Sequence, residues 1–356
     1  MANRLKLVLL LVLSTGVAAA QTLPVWTEQY PPYSPPPRSF AGVAYDSAAG
    51  QLVLFGGLDG NNTPLGDTWI WNGTTWTEKF PSLSPPPRSS PLMAYDAAQG
   101  QVVLFGGTED TPKGNVSTND TWVWNGSNWT EKFPPVSPPA LAFSAMAYDA
   151  AQNQIVLFGG SSSHTATCMN FVNQTWVWNG DTWTEKFPAT PPPARGGHGL
   201  AYDSAHQQVV LFGGMPSQCS TDSFAEPVVY NDTWVWNGAY WTQKFPADTP
   251  PMREGPGMAF DPAENEIVLF GGDDGDGKLL GDTWVWNGDN WIETYPAISP
   301  PPRSFPAMAY DATMVQTVLF GGSGLADTWH WGVPISQAPV IRSVPHAGFG
   351  GSTVHR

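Results

Sequence analysis

Basic residues are scarce: 15 Lys and Arg stand against 30 Asp and Glu, a formal charge of −15. A chain of that sign is a poor general binder of nucleic acid or anionic lipid, and neither is expected as a partner. After residue 20 no stretch is apolar enough to span a bilayer. No segment has the ligand spacing of a zinc site, and no Gly-x-Ser-x-Gly element or phosphate loop is present. The six histidines are scattered, as His164, His198, His206, His330, His346 and His355. These absences leave no metal, no cofactor and no catalytic set to be read from motifs.

Arg4 and Lys6 precede an apolar run from Leu7 to Val17, and Ala18, Ala19 and Ala20 follow it. Charge, short apolar run and small residues in that order form a secretory signal, with cleavage expected after Ala20. Residues 1–20 are thus read as a signal peptide and the mature chain as secreted or periplasmic, with no membrane insertion once the signal is removed. Loss of Arg4 and Lys6 moves the formal charge from −15 to −17. The two cysteines, Cys168 and Cys219, both lie in the mature part. In an oxidising compartment a disulfide between them is the default expectation. Triplets of the Asn-x-Ser/Thr type, as at Asn61 and Asn115, accept glycans only in a host that glycosylates.

Glycine and proline are abundant, at 37 and 36 residues, but the aromatic content of 13% is too high for a disordered chain. Self-similarity explains the composition. A Leu-Phe-Gly-Gly string or its equivalent ends at Gly57, Gly107, Gly160, Gly214, Gly272 and Gly322, with spacings of 50, 53, 54, 58 and 50 residues. Asp-Thr-Trp-Val-Trp-Asn-Gly recurs with small changes from Asp67, Asp120, Gln174, Asp232, Asp282 and Asp327. Trp-Thr-Glu-Lys-Phe-Pro starts at Trp76, Trp129 and Trp183, with looser copies at Trp241 and Trp291.

Each unit holds four short β-branched and aromatic runs bounded by turn residues, which reads as four strands. Asn125-Gly126 signals the hairpin between the third and fourth, and Asp96 opens the turn between the first and second. Four strands per fifty-residue unit make a propeller blade. The chain is therefore expected to be all-β, a six-bladed β-propeller over residues 21–332. Residues 333–356, rich in proline and glycine and without a core of their own, are expected to be a flexible tail. The 18 tryptophans fix the blade number. Five complete units use three each, and the sixth has only Trp329 and Trp331. The remaining one, Trp26, lies in an orphan fourth strand, which is expected to complete the last blade and close the ring. Closure removes unpaired edges, so deletion of residues 24–30 is expected to unfold the chain. The repetition marks these tryptophans as packing between blades and not as surface rings for sugars. Truncating one to Ala would cost roughly 3–5 kcal/mol.

The Gly106-Gly107 pair ending a second strand, with Trp122 or Trp124 and Trp129 in the third and fourth, resembles the Kelch repeat, the family that includes the galactose oxidase central domain. The likeness covers residues 25–332. The Gly-His and Trp-Asp marks of WD repeats and the spacing of the sialidase Asp-box are absent. The copper oxidases of this fold need a cluster of Tyr and His, whereas only Tyr33, Tyr230 and Tyr240 lie outside repeat positions here. Some Kelch proteins bind acidic peptides through arginines near the channel mouth. By that resemblance Arg38, Arg88, Arg195, Arg253 and Arg303, with Leu141 at the blade 3 position, would form a ring that binds carboxylates, sulfates or acidic peptide. The opposing reading, which outranks it, is a connector clamp, with Glu28, Glu78, Glu131, Glu185 and Glu293 as available partners. His198, which follows Arg195 on an innermost strand, joins the arginines as a candidate ligand-binding residue, against the reading that a lone histidine there is packed or bonded to solvent. Asp273, Asp274 and Asp276 form an acidic loop better suited to solvation than to calcium.

The two longest loops between second and third strands, in blades 3 and 4, are adjacent, and each carries a cysteine. They point to the long-loop face as a binding surface. Two functions are open. The chain is either a monomeric extracytoplasmic binding or scaffold module for an unknown protein or glycan, or an enzyme acting on a carbohydrate or small molecule at the channel mouth. Clustering of His198 with Tyr230 and an acid favours the enzyme; a broad arginine-dominated mouth favours binding. Binding is preferred.

Overall fold

The computed structural model describes residues 23–112, 114–165, 168–219 and 229–334. The expected signal peptide and tail residues 335–356 lie outside the described residues. The described residues form six four-stranded antiparallel sheets and no helix. The blades are set as a β-propeller. First strands such as Gly42–Asp46, Leu92–Asp96 and Ala307–Asp311 contact their counterparts in adjacent blades all the way round and line a central channel. Fourth strands such as Trp76–Lys79 form the outer edge.

Closure follows the expected route. Val25–Gln29 pairs antiparallel with Thr328–Gly332, placing Trp26 opposite Trp331 and Glu28 opposite Trp329. The last blade thus draws its outer strand from the other end of the chain.

Blade contacts repeat as regularly as the sequence. Each fourth-strand tryptophan donates its indole N–H to the third-strand threonine of the preceding blade. The six bonds, from Trp26, Trp76, Trp129, Trp183, Trp241 and Trp291, are 2.9–3.0 Å long. Each ring also stands edge-on or tilted to the second-strand phenylalanine of that blade, at 5.0–5.4 Å between centroids. Burying a tryptophan with its N–H satisfied avoids the cost of an orphan donor. These rings are core, as the sequence implied.

The glycine pair has a concrete task. Gly56 holds φ = 67°, and a Cβ there would lie 2.6 Å from the Arg88 carbonyl oxygen of the next blade. Gly57 donates its N–H to that same oxygen at 2.9 Å. Equivalent bonds run from Gly107, Gly160, Gly214, Gly272 and Gly322 to the following blade, a complete ring of backbone ties. Turn chemistry also follows the sequence: Asp96 Oδ1 accepts from the amides of Ala98 and Gln99.

Candidate functional site at the channel mouth

The chain enters each innermost strand through a connector whose last residues frame the channel. Bridges such as Ser39↔Leu58 and Gly196↔Met215 tie these connectors to the loops between second and third strands, so mouth and long loops share one face.

The five arginines occupy equivalent places, and each is at most 1% exposed. Arg253 shows the pattern. Its Nε donates to the Pro251 carbonyl at 3.0 Å, and Nη1 donates to the Gly271 carbonyl at 2.8 Å. Nη1 and Nη2 grip both oxygens of Asp282 at 2.7 Å. Arg38, Arg88, Arg195 and Arg303 do the same with Asp67, Asp120, Asp232 and Asp327. Four of the five guanidinium N–H groups are thereby engaged without surface contact, a geometry of connector clamping rather than of ligand capture. The partner is the aspartate that opens the Asp-Thr-Trp string, not the fourth-strand glutamates proposed from sequence. That aspartate also accepts the N–H of the tryptophan two residues on, at 2.6–2.7 Å. The Arg38 guanidinium holds the Asp67 carboxyl below its ordinary range against the opposing effect of burial, which is the larger single influence. The signal missed in the sequence is coordinated loss: blade 3, with Leu141 for Arg, also has Gln174 for Asp. Gln174 turns instead to Glu185, and the Trp176 N–H is left unpartnered.

Two residues beyond each clamp position the backbone turns left-handed, at Phe40, Ser90, Phe143, Gly197, Gly255 and Phe305, with φ between 50° and 64°. Amides pass from one blade to the next at this level: Ser90 N–H to Phe40 O at 2.9 Å, Gly197 to Phe143 at 2.9 Å, Gly255 to Gly197 and Phe305 to Gly255 at 2.7 Å. Phenylalanine at positive φ is strained by about 1–3 kcal/mol, a cost found where the surroundings enforce it, often at functional sites. Here all three rings meet over the channel. Phe40 and Phe305 are 4.3 Å apart, with Phe143 at 5.9 and 6.4 Å. The Phe305 ring lies across Gly255, where a Cβ would meet it at 2.7 Å. This aromatic cap leaves a mouth cavity of about 130 Å³. A second cavity, about 170 Å³, runs deeper among Val43, Met93, Met146, Leu200, Met258 and Met308.

His198 lines both cavities and is 6% exposed, with neither ring nitrogen partnered. Its ring stands edge-on to Phe158 at 5.6 Å. Burial, assisted by the Arg195 charge, lowers its pKa to about 3. In the next blade Glu254 Oε2 is also buried and unpartnered, 3.4 Å from where a Cβ on Gly197 would stand. Burial and the Asp273 carboxylate raise Glu254 to about 7. Tyr230 does not join His198; its ring lies under the Arg195 guanidinium at 4.1 Å. The mouth is thus neither of the two arrangements anticipated, being narrow and phenylalanine-capped.

Around the mouth the face rises on one side. In blade 2, Gln101–Thr111 and Gly114–Trp124 run on past the blade as a hairpin, and in blade 5 Glu266–Asp273 with Leu279–Trp286 does so more briefly. Ser161–Thr165, Cys168–Phe171 and Gln218–Cys219 form a three-stranded sheet bridging blades 3 and 4. Its register sets Cys168 opposite Cys219. Phe171 seats this sheet on Gly196, where a Cβ would lie 2.1 Å from the ring. The acidic loop is a turn: Asp273 Oδ1 accepts from Gly275 and Gly277, and Asp274 Oδ1 from Asp276 and Lys278. Among the described residues no three His, Cys, Asp or Glu stand together as a metal site.

No family model matches the chain. Among solved structures, that of YjhT, also a propeller, aligns with a TM-score of 0.62 over 84% of this chain and 95% of that one, at 14% identity. Likeness at that identity concerns the fold: this is a β-propeller.

Proposed function

We propose that this chain is a Kelch-type, extracytoplasmic recognition module. It binds a protein or glycan across its long-loop face, between the raised wall of blades 2–5 and the low side formed by blades 6 and 1. The observation that carries this reading is the aromatic cap. With Phe40, Phe143 and Phe305 over the channel, the mouth holds about 130 Å³, well below the roughly 300–1,000 Å³ of a small-molecule pocket. A ligand therefore meets a surface with an aromatic centre, the arrangement of an interface hot spot. Secretion and a Cys168–Cys219 bridge fit the same reading, the bridge fastening the wall.

A second reading rests on His198 and Glu254. An imidazole with neither nitrogen partnered and a half-buried carboxyl with one unpartnered oxygen, in adjacent blades and both with displaced pKa values, are features that catalytic sites share. In that reading the cap opens to admit a carbohydrate or other small molecule. Thermal stabilisation of the mature protein against glycan and peptide panels tests both, beside a Phe40→Ala, Phe143→Ala variant and a His198→Ala variant. A ligand whose shift disappears with the phenylalanines but survives loss of His198 supports surface recognition. A small ligand whose shift needs His198, and which is turned over, supports the enzyme and removes the first reading.

A further inference from the structure

Six aromatic rings stand out of the propeller, one per blade, at the end of each outer strand: Tyr30, Phe80, Phe133, Phe187, Phe245 and Tyr295. They are 81–84% exposed. Rings this exposed bury too little surface to contribute much to folding. Yet the position is aromatic in six of six repeats, while three residues further along the same connector the chain has Tyr33, Leu83, Val136, Thr190, Asp248 and Ile298. Each ring is followed by a proline, which stiffens it at little entropic cost.

Two residues before each ring, on the same side of the strand, is a carboxylate or amide: Glu28, Glu78, Glu131, Glu185, Gln243 or Glu293. The two tyrosine hydroxyls donate to theirs at 2.5 Å. Directly across the strand pair stands a third-strand tryptophan, as Trp284 stands opposite Glu293. In blade 5 these side chains already line a cleft of about 260 Å³, formed by Trp284, Trp291, Ile292, Glu293 and Tyr295 with Asp248 from the preceding connector.

We propose that this outer rim is a multivalent binding surface for a neutral polysaccharide. A flat exposed ring beside an oxygen acceptor fits one sugar, whose C–H face stacks on the ring while its hydroxyls donate to the carboxylate. A protein partner would call for a contiguous apolar core depleted of charge. Here single rings are spaced a blade apart, with Lys79, Lys132, Lys186 and Lys244 beside four of them. The net charge of −15 disfavours a polyanion. Each site alone is weak, but several engaged on one chain multiply affinity by about 10²–10⁴. The proposal stands independently of any ligand at the channel mouth, whose residues the test leaves unchanged.

Affinity electrophoresis of the full mature protein through gels holding hydroxyethyl cellulose, xyloglucan, mannan or alginate tests it. Retardation is expected in at least one of the three neutral polymers and not in the polyanionic alginate. Replacing the six rings by alanine should abolish that retardation with the melting temperature unchanged within about 2 °C, and replacing three should weaken apparent affinity at least tenfold. A variant with tryptophan at all six positions should keep it. No retardation in any neutral polymer, retardation only in alginate, or full retardation by the alanine variant would each overturn the proposal, as would a large fall in melting temperature on removing the rings.

Discussion

Blade 3 suggests an experiment on the clamp that holds the other five connectors. Replacing Arg253 by leucine removes four hydrogen bonds from a fully buried guanidinium and leaves the Asp282 carboxylate, about 22% exposed, without its counter-charge. Breaking a buried pair from one side costs about 3–5 kcal/mol, and the partial exposure of Asp282 places this change near the lower bound. Asp282→Gln alone leaves the guanidinium buried and half satisfied, and also frees the Trp284 N–H; its cost is about the same. Together the two substitutions install the Leu141 and Gln174 arrangement that blade 3 already tolerates, and no charge remains unpaired. The double variant is therefore expected to lose only about 1–2 kcal/mol, a coupling of several kcal/mol. Denaturant unfolding of the four proteins measures it. Additive losses would refute the reasoning, because they would mean that Arg253 and Asp282 do not stabilise each other.

pH dependence is the next test. Burial lifts Glu254 and Glu266 to about 7, so the native state holds protons that the unfolded chain has released, and stability falls as pH rises from about 4.5 to 7. Burial lowers His198 to about 3 and His330 to about 4, so stability is lost as pH falls from 6.5 towards those values. The two effects oppose each other between about 4.5 and 6.5, giving a nearly flat profile there and a decline below, where Asp67, Asp120, Asp282 and Asp327, held down by their arginines, also protonate. Glu254→Gln should be stabler than its parent by a margin that grows from pH 4.5 to 7 and then holds, with roughly 3 kcal/mol as its ceiling; parallel melting curves across pH would contradict this. For the bridge, the secreted protein without reductant should be 2 Da lighter than its reduced form and refuse alkylation. Reduction should remove up to about 4 kcal/mol, and an unreduced protein that alkylates at both cysteines would show that no bridge forms.

Most of the ring was legible because its physics repeats. Gly-Gly, Thr-Trp-x-Trp and the fourth-strand tryptophan appear at fixed offsets, and each offset is a contact to the next blade. The ring closure through Trp26 followed from counting tryptophans and from the likeness of its segment to a fourth strand. What the sequence hid was pairing between distant positions. Arg253 and Asp282 are 29 residues apart, and nothing local says that the aspartate rather than Glu293 turns towards the arginine. The register explains it: Glu293 sits on the outer strand opposite Trp284, while Asp282 lies just before the third strand's Thr283, beside the Gly271 carbonyl that the arginine also grips. The aromatic cap was hidden for a different reason. Phe40, Phe143 and Phe305 come from three non-consecutive blades, and a ring of six brings them together only when closed.

That contrast also separates two kinds of position. Buried positions that agree in every blade serve the ring, because each must satisfy the same neighbour. Departures from the repeat are free of that duty, and on the long-loop face they gather. Leu141 and Gln174 give up the clamp in blade 3. Gly196 clears space in blade 4 for Phe171 and the bridging sheet. His198 stands where Ala41, Pro91, Pro256 and Pro306 stand elsewhere, and Glu254 where Ser39, Ser89 and Ser304 do. The departures carry costs of their own: the Trp176 N–H loses the aspartate that its counterparts keep, the His198 imidazole has no hydrogen bonds, and the Glu254 carboxyl is held near 7. Blades 3 to 5 carry these departures under the raised wall and beside the aromatic cap, while blade 6 carries a buried imidazole of its own in His330.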